Sequence, residues 1–299
     1  MTKDNDTTAI DHPAQGTDRP ESPAAGTGSL AARPAPLSGV AAVRAVFRIS
    51  ALSPVRRKRG VILFILAMLP VVLIVIADLF GAERGGGSKF FTVGIVPVYH
   101  YIEMVIFIFL GCSVLGDDME TRTLAYDLIC PVSRLAIFAG RYLTYLVSAL
   151  LLVLPALTAV FFACMTRYGF DALAHSLPLL FAVLVAATVG ALVYGSAFVF
   201  LSLLTKRAVL AAVIITICIE GFLAHMPFRI CSSSVLYHLR NLMVAISGET
   251  WFFPMADFDL AVMNEIFEVT LSQSVTTLSL LWVGFTVGGV MLFNRKQFP

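Results

Sequence analysis

Charged residues are scarce in this sequence of 299 residues. Asp, Glu, Lys and Arg together make up 13% of it, whereas 58% of the residues are hydrophobic. Soluble domains carry about 25% charged residues. The few charges lie mostly in short polar stretches between long apolar runs. This composition excludes a soluble globular protein, and the net charge of +2 gives no reason to expect a nucleic acid as partner.

The motifs of several enzyme classes are also missing. We find no phosphate-binding Gly-x-x-x-x-Gly-Lys-Ser/Thr loop, no Gly-x-Ser-x-Gly, no His-Glu-x-x-His and no haem attachment motif. The five cysteines lack the paired spacing of a disulfide framework or zinc site, and small apolar roles are expected for them. They are Cys112, Cys130, Cys164, Cys218 and Cys231. We therefore expect no catalytic site, cofactor or metal, and an energy source outside the chain.

The apolar residues are divided into segments of membrane-crossing length. About 20 helical residues cross a hydrocarbon core about 30 Å thick, and backbone groups in lipid favour helices. Six segments qualify: Val61–Phe80, Gly94–Gly116, Leu135–Met165, Leu177–Leu204, Ala208–Ala224 and Val275–Phe293. The fold class predicted is therefore an all-α polytopic membrane protein with six transmembrane helices.

The basic residues predict the orientation of these spans. Near the spans and in the loops, thirteen Lys and Arg residues lie on the side that holds both termini, against five on the other side. The thirteen are Arg44, Arg48, Arg56, Arg57, Lys58, Arg59, Arg122, Arg134, Arg141, Lys206, Arg207, Arg295 and Lys296. The positive-inside rule then places both termini in the cytoplasm, in a multi-pass protein of the plasma or inner membrane.

Two regions precede the first span. The first 38 residues are rich in Pro, Gly, Ala, Thr and Asp and have few large apolar side chains, so we predict a disordered cytoplasmic tail. Beyond it, Val43, Val46 and Phe47 share one helical face while Arg44 and Arg48 share another. This pattern predicts a short amphipathic helix at the membrane interface.

The loop between the second and third spans carries the most informative pattern. Asp117 or Asp118 can cap a short helix, Glu120 suits its first turn, and Pro131 ends it. Leu124 and Leu128 form an apolar face on this helix, and Glu120, Thr123 and Asp127 form a polar one. Such a helix can pack on the bundle and present its other face to a soluble partner.

This stretch resembles the permease subunits of type-2 ATP-binding-cassette exporters. The matching residues are Glu120, Thr123-Leu124, Leu128, Pro131-Val132-Ser133-Arg134 and Gly140-Arg141-Tyr142. The family usually has Gly before Thr-Leu, where this chain has Arg122. The resemblance extends over residues 39–299 and implies a six-span transmembrane domain whose cytoplasmic coupling helix docks on separate ATPase subunits. It also implies a second permease chain, identical or different, and short re-entrant helices between the last two spans.

Ionisable residues inside the spans are candidate functional residues. Glu103 lies ten residues into the second span, with His100 at i−3 and Tyr99 at i−4, so that all three can share a face. They form either a transport pathway or an interhelical contact. Glu220 and Asp78, near the outer ends of their spans, are expected to reach interfacial water.

Small residues recur along the fourth span. Ala186, Gly190, Ala191 and Gly195 permit close approach of helix backbones, either within the bundle or across a dimer.

Three functions fit these features. The first is an exporter permease whose ATPase is a separate chain and whose substrate is unidentified. The second is a proton- or ion-gradient-driven carrier that uses Glu103 and His100. The third is an intramembrane enzyme built on the same two residues.

Overall fold

The computed structural model describes residues 39–50, 58–80, 87–120, 133–222, 234–248 and 270–295, and every regular element among them is helical. We number nine helices in chain order. They are α1 Gly39–Ser50, α2 Lys58–Leu79, α3 Val96–Glu120, α4 Arg134–Met165, α5 Gly169–His175, α6 Leu177–Leu204, α7 Ala208–Thr216, α8 Val235–Ser247 and α9 Leu271–Arg295. A π-helical turn, Phe90–Ile95, leads into α3, and another, Ile217–Phe222, continues α7.

Five of these helices are long and apolar enough to cross a bilayer, which marks the chain as an all-helical membrane protein. The apolar segments are Gly60–Ala77, Phe90–Gly116, Arg134–Met165, Leu177–Leu204 and Leu271–Arg295, and the second of them includes the π-helical turn before α3. Five of the six predicted spans are thereby confirmed as apolar helices. The predicted fifth span corresponds to a shorter apolar helix, Ala208–Gly221, and residues 223–233 after it lie outside the described part.

Helix α6 forms the centre of the bundle. It packs against α3, α4, α8 and α9, and its small residues lie inside the bundle: Ala186, Gly190, Ala191 and Gly195. A β-carbon on Gly195 would overlap the Tyr145 ring, whose hydroxyl oxygen would be only 2.6 Å away. The Tyr145 hydroxyl donates to the Ala191 carbonyl at 3.0 Å. The small-residue pattern therefore provides close packing between α4 and α6.

Helix α1 forms as predicted and packs against α4. Ala42 is buried, and Arg44 and Arg48 are exposed. Val46 reaches Gly140 so closely that a β-carbon there would lie 2.8 Å from the valine side chain. Gly140 is thus required for α1 to dock on α4.

Helices α3 and α4 extend beyond the start of α2. Gly60, in the first turn of α2, shares a cleft with Leu110 of α3 and Ser148 of α4. At 1.5 Å per residue, α4 continues from Ser148 back to Arg134 for about 21 Å, and α3 continues from Leu110 to Glu120 for about 15 Å. The loop that joins α3 to α4 therefore leaves the helices well beyond the level at which α2 begins.

The predicted helix start within this loop is wrong. The backbone of α3 continues through Asp117, Asp118 and Glu120, so these residues form the last turn of a long helix and do not cap a new one. Ser133 does cap α4: its side chain accepts from the Ala136 N–H at 3.3 Å. Residues 121–132, which carry most of the predicted coupling helix, lie outside the described residues.

Candidate functional site

A buried acid–base pair lies in the second span. His100 Nδ1 is 3.3 Å from Glu103 Oε2, and both side chains are buried in α3. The i, i+3 spacing brings the two groups to one face of the helix. The pair predicted from the sequence therefore forms, and one proton can be shared between imidazole and carboxylate.

Tyr99 belongs to the same face but makes a different contact. Its hydroxyl donates to the Val153 carbonyl of α4 at 3.1 Å. Tyr99, His100 and Glu103 together line a small cavity, which is closed by α4, α6 and α8 through apolar residues. These are Leu157, Val183, Ala186, Ala187 and Met243, with Val96 at the edge. The three predicted pathway residues thus meet at one small cavity. The buried His100 Nε2 atom has no hydrogen-bond partner among the described residues.

A second buried acid, Glu220, holds the start of α8. The Ser234 hydroxyl donates to Glu220 Oε2 at 2.5 Å, and the Leu236 N–H donates to the same oxygen at 3.1 Å. The Val235 N–H donates to Oε1 at 3.1 Å. A carboxylate suits this position because the first N–H groups of a helix have no partner within it.

The prediction that Glu220 reaches interfacial water is therefore wrong. Its side chain is only 2% exposed, and its oxygens are occupied by α8. Hydropathy along α7 could not reveal this, because the partner is a helix that is distant in sequence. The side chain of Asp78, for which the same prediction was made, lies outside the described side chains.

Tyr194 of α6 lies between the two acids. Its ring is 6.4 Å from the His100 ring in an edge arrangement. Glu220, Arg240 and Glu103 lie near its buried hydroxyl, which has no hydrogen-bond partner among the described residues. Arg240 of α8 is itself buried. Burial lowers the pKa of its guanidinium, whereas Tyr101, Tyr194 and Glu220 nearby raise it; an arginine in this setting remains a cation. Tyr194, Glu220, Arg240 and Glu103 form one polar cluster inside a mostly apolar bundle.

The other side of α8 binds α9 through polar groups. Ser274 Oγ lies 3.2 Å from His238 Nδ1 and accepts from Asn241 Nδ2 at 3.4 Å. Leu239 of α8 also reaches Gly190, near the middle of α6. Helix α8 therefore enters the bundle.

Sequence reasoning found Glu103 and His100 but missed the roles of Tyr194, Ser234 and Arg240. One signal was available: a lone acid in an apolar span, as at Glu220, needs a partner. No signal identified that partner. The π-helical turns preceding α3 and containing Glu220 were also unpredictable, although such turns frequently occur at functional sites.

Of the predicted coupling residues, only those at the two ends are described. Glu120 is the last residue of α3, and Arg134 is the first of α4. Arg134 Nη1 donates to the Asn294 carbonyl at 3.0 Å, so that it satisfies an otherwise unpaired carbonyl at the end of α9. Arg122, Thr123, Leu124, Asp127, Leu128 and Pro131 lie outside the described residues.

The described cysteines form no disulfide. Cys112 and Cys164 are buried, as expected of small apolar residues, whereas Cys218 is exposed in the π-helical turn that continues α7. Cys130 and Cys231 are outside the described part. Among the described residues no three His, Cys, Asp or Glu side chains lie close enough to hold a metal ion.

Comparison of the chain with protein-family models, with curated proteins and with solved structures gave no match in any of the three.

Proposed function

We propose that this chain is the membrane-spanning permease subunit of an ATP-driven exporter, with six transmembrane helices and its ATPase on a separate polypeptide. The observation that carries the proposal is the extension of α3 and α4 beyond the start of α2. The two residues that flank the segment resembling the family's coupling helix, Glu120 and Arg134, lie roughly 15–20 Å farther along α3 and α4 than the level at which α2 begins. We propose that a soluble partner on the cytoplasmic side binds the segment between them.

The charge pattern supports the same arrangement. The basic residues of the sequence concentrate on the side of this loop, which the positive-inside rule assigns to the cytoplasm, where ATP is available. The chain carries no phosphate-binding loop. Two ATPase subunits and a second permease chain complete the proposed assembly in the plasma or inner membrane.

The loop is tested by charge reversal. Glu120→Arg combined with Asp127→Arg should abolish co-purification of a P-loop ATPase with the tagged chain from its native membrane, while insertion is unaffected. The matched control is Asp11→Arg combined with Asp18→Arg, which makes the same change of charge in the N-terminal tail, on the same predicted side. If the chain purifies without a P-loop ATPase, or if the loop variant retains it fully, the proposal is wrong.

A second candidate function, a proton-coupled carrier, is favoured by the buried His100–Glu103 pair. A shared proton in an enclosed cavity is a feature of proton relays in transporters. Glu103→Gln keeps the shape of the side chain but cannot ionise, and Glu103→Leu removes hydrogen bonding as well.

The two variants separate the roles of Glu103. If it serves transport, both variants should fold, and both should change transport in reconstituted vesicles. If it serves packing, Glu103→Gln should transport normally, and Glu103→Leu should lose stability, a hydrogen bond being worth about 1 kcal/mol. Transport driven by a pH gradient without ATP would select the carrier over the exporter.

A further inference from the structure

A second cavity lies farther along α3 than the polar cluster, at Leu110, which is seven residues or about 10 Å beyond Glu103. It is a cleft of about 200 Å³ between α2, α3 and α4. Its floor consists of the buried residues Leu63, Leu110 and Ser148, and Val61 and Phe64 form an edge. Val61 and Phe64 are 56% and 50% exposed, so the cleft opens sideways toward the hydrocarbon.

Basic residues stand directly before this cleft. Lys58 and Arg59 open α2 and immediately precede Gly60, which lines the cleft. In the sequence they follow two further arginines, so that four consecutive residues are cationic. Phe64 lies six residues after Lys58, or about 9 Å along the helix axis. The cationic start of α2 at Lys58 is therefore less than two helical turns from Phe64 at the edge of the cleft.

We propose that this cleft binds an anionic phospholipid, with part of one acyl chain between α2, α3 and α4 and the phosphate headgroup at the basic start of α2. The lining is almost wholly apolar, which suits a hydrocarbon chain. Clusters of Lys and Arg next to a membrane span attract anionic lipid headgroups. The positive-inside rule explains a bias in charge, but it does not require two cations to come immediately before a residue that lines an apolar cleft. This proposal does not depend on ATP-driven transport.

The test uses the purified full-length chain in detergent with phosphatidylglycerol or phosphatidylcholine of identical acyl chains. Native mass spectrometry should detect a one-to-one phosphatidylglycerol adduct that survives activation, and phosphatidylglycerol should raise the thermal unfolding temperature. Phosphatidylcholine should give several-fold less of the adduct. Equal retention of the two lipids, or the same stabilisation by inorganic phosphate alone, would overturn the proposal.

Two variants localise the site. Ser148→Phe fills the cleft, and Lys58→Gln combined with Arg59→Gln removes two cations without changing its floor. Each should reduce the phosphatidylglycerol adduct several-fold. The matched control for charge is Arg44→Gln combined with Arg48→Gln on α1, which should leave the adduct unchanged. Because the charge variant leaves the residues that line the cleft unchanged, it tests the proposal even if Ser148→Phe fails to fold.

A photoreactive group in the acyl chain supplies a direct readout. Phosphatidylglycerol that carries a diazirine in one chain should label peptides containing Phe64, or Leu152 of α4, which also lines the cleft, in the wild-type protein. Labelling confined to α9, whose apolar face is exposed to any lipid, would contradict the assignment.

Discussion

Helices α6 and α9 are both apolar and of similar length, yet they occupy opposite positions in the bundle. Of the apolar stretch in α6, 56% is buried by protein, against 11% in α9. Helix α6 carries its small residues where α4 and α8 approach, whereas α9 presents larger side chains such as Leu280, Val287 and Met291 outward. Hydropathy identifies both as spans, but it does not show which of them other helices surround.

The largest effect is expected at Gly195 of α6. Gly195→Ala places a methyl group within the Tyr145 ring, and overpacking of this kind costs about 1–3 kcal/mol or more. The matched control is Gly284→Ala on α9, where the added carbon meets nothing within 4 Å. Thermal unfolding in detergent should show a large loss for the first variant and almost none for the second. Equal losses of thermal stability in the two variants would contradict the conclusion that α6 is packed more closely than α9.

The next effect concerns α8, which joins α6 to α9. Glu220→Gln replaces a charged acceptor with an amide, and hydrogen bonds to charged groups contribute about 1.5–3 kcal/mol. We expect faster hydrogen exchange in residues 235–247 and lower thermal stability. Ser234→Ala removes a single donor to this carboxylate. It should also speed hydrogen exchange and lower thermal stability, but by a smaller amount. Unchanged exchange in α8 after Glu220→Gln would show that the carboxylate does not hold it.

A smaller effect is expected where α4 connects the two helices. The Tyr142 hydroxyl donates to the Leu192 carbonyl of α6 at 3.0 Å and accepts from Trp282 Nε1 of α9 at 3.0 Å. Tyr142→Phe removes both hydrogen bonds and should cost about 1–2 kcal/mol, measured by thermal unfolding in detergent. If stability is unaffected, the polar link between these helices is unimportant and apolar packing alone positions α9.

The smallest effect is expected on the outward face of α9. Val287→Leu adds a methylene toward lipid and should change stability by less than about 0.5 kcal/mol. A leucine at position 191 of α6 serves as the comparison. Ala191 is fully buried, so Ala191→Leu should be strongly destabilising. Similar unfolding temperatures for the two variants would contradict the assignment of α6 to the centre.

Much of this fold could be predicted from the sequence. The limits of α6 were predicted to the residue, and those of α4 to within one residue, because long apolar runs bounded by polar residues specify helices in lipid. The His100–Glu103 contact was predictable for the same reason, since helix geometry alone brings i and i+3 together. Local pattern was sufficient wherever the partners share one helix.

The interactions that could not be predicted join distant segments. Glu220 meets Ser234 across fourteen positions in the sequence, and Tyr194 approaches both acids from a different helix. The incorrect helix start at Asp117 has a related cause. Acidic residues favour a helix N-terminus, but here the apolar residues before them extend α3 through that point, so that tertiary structure prevails over a capping preference.

The extension of α4 beyond the start of α2 has a mechanical consequence. It is a rigid arm about 21 Å long, and tilting such an arm by roughly 10° displaces its tip by about 4 Å. Helix α1 lies against this arm at Gly140, six residues from the tip. Because Arg134 at the tip also bonds to the Asn294 carbonyl of α9, a tilt of this arm would disturb its contacts with both α1 and α9.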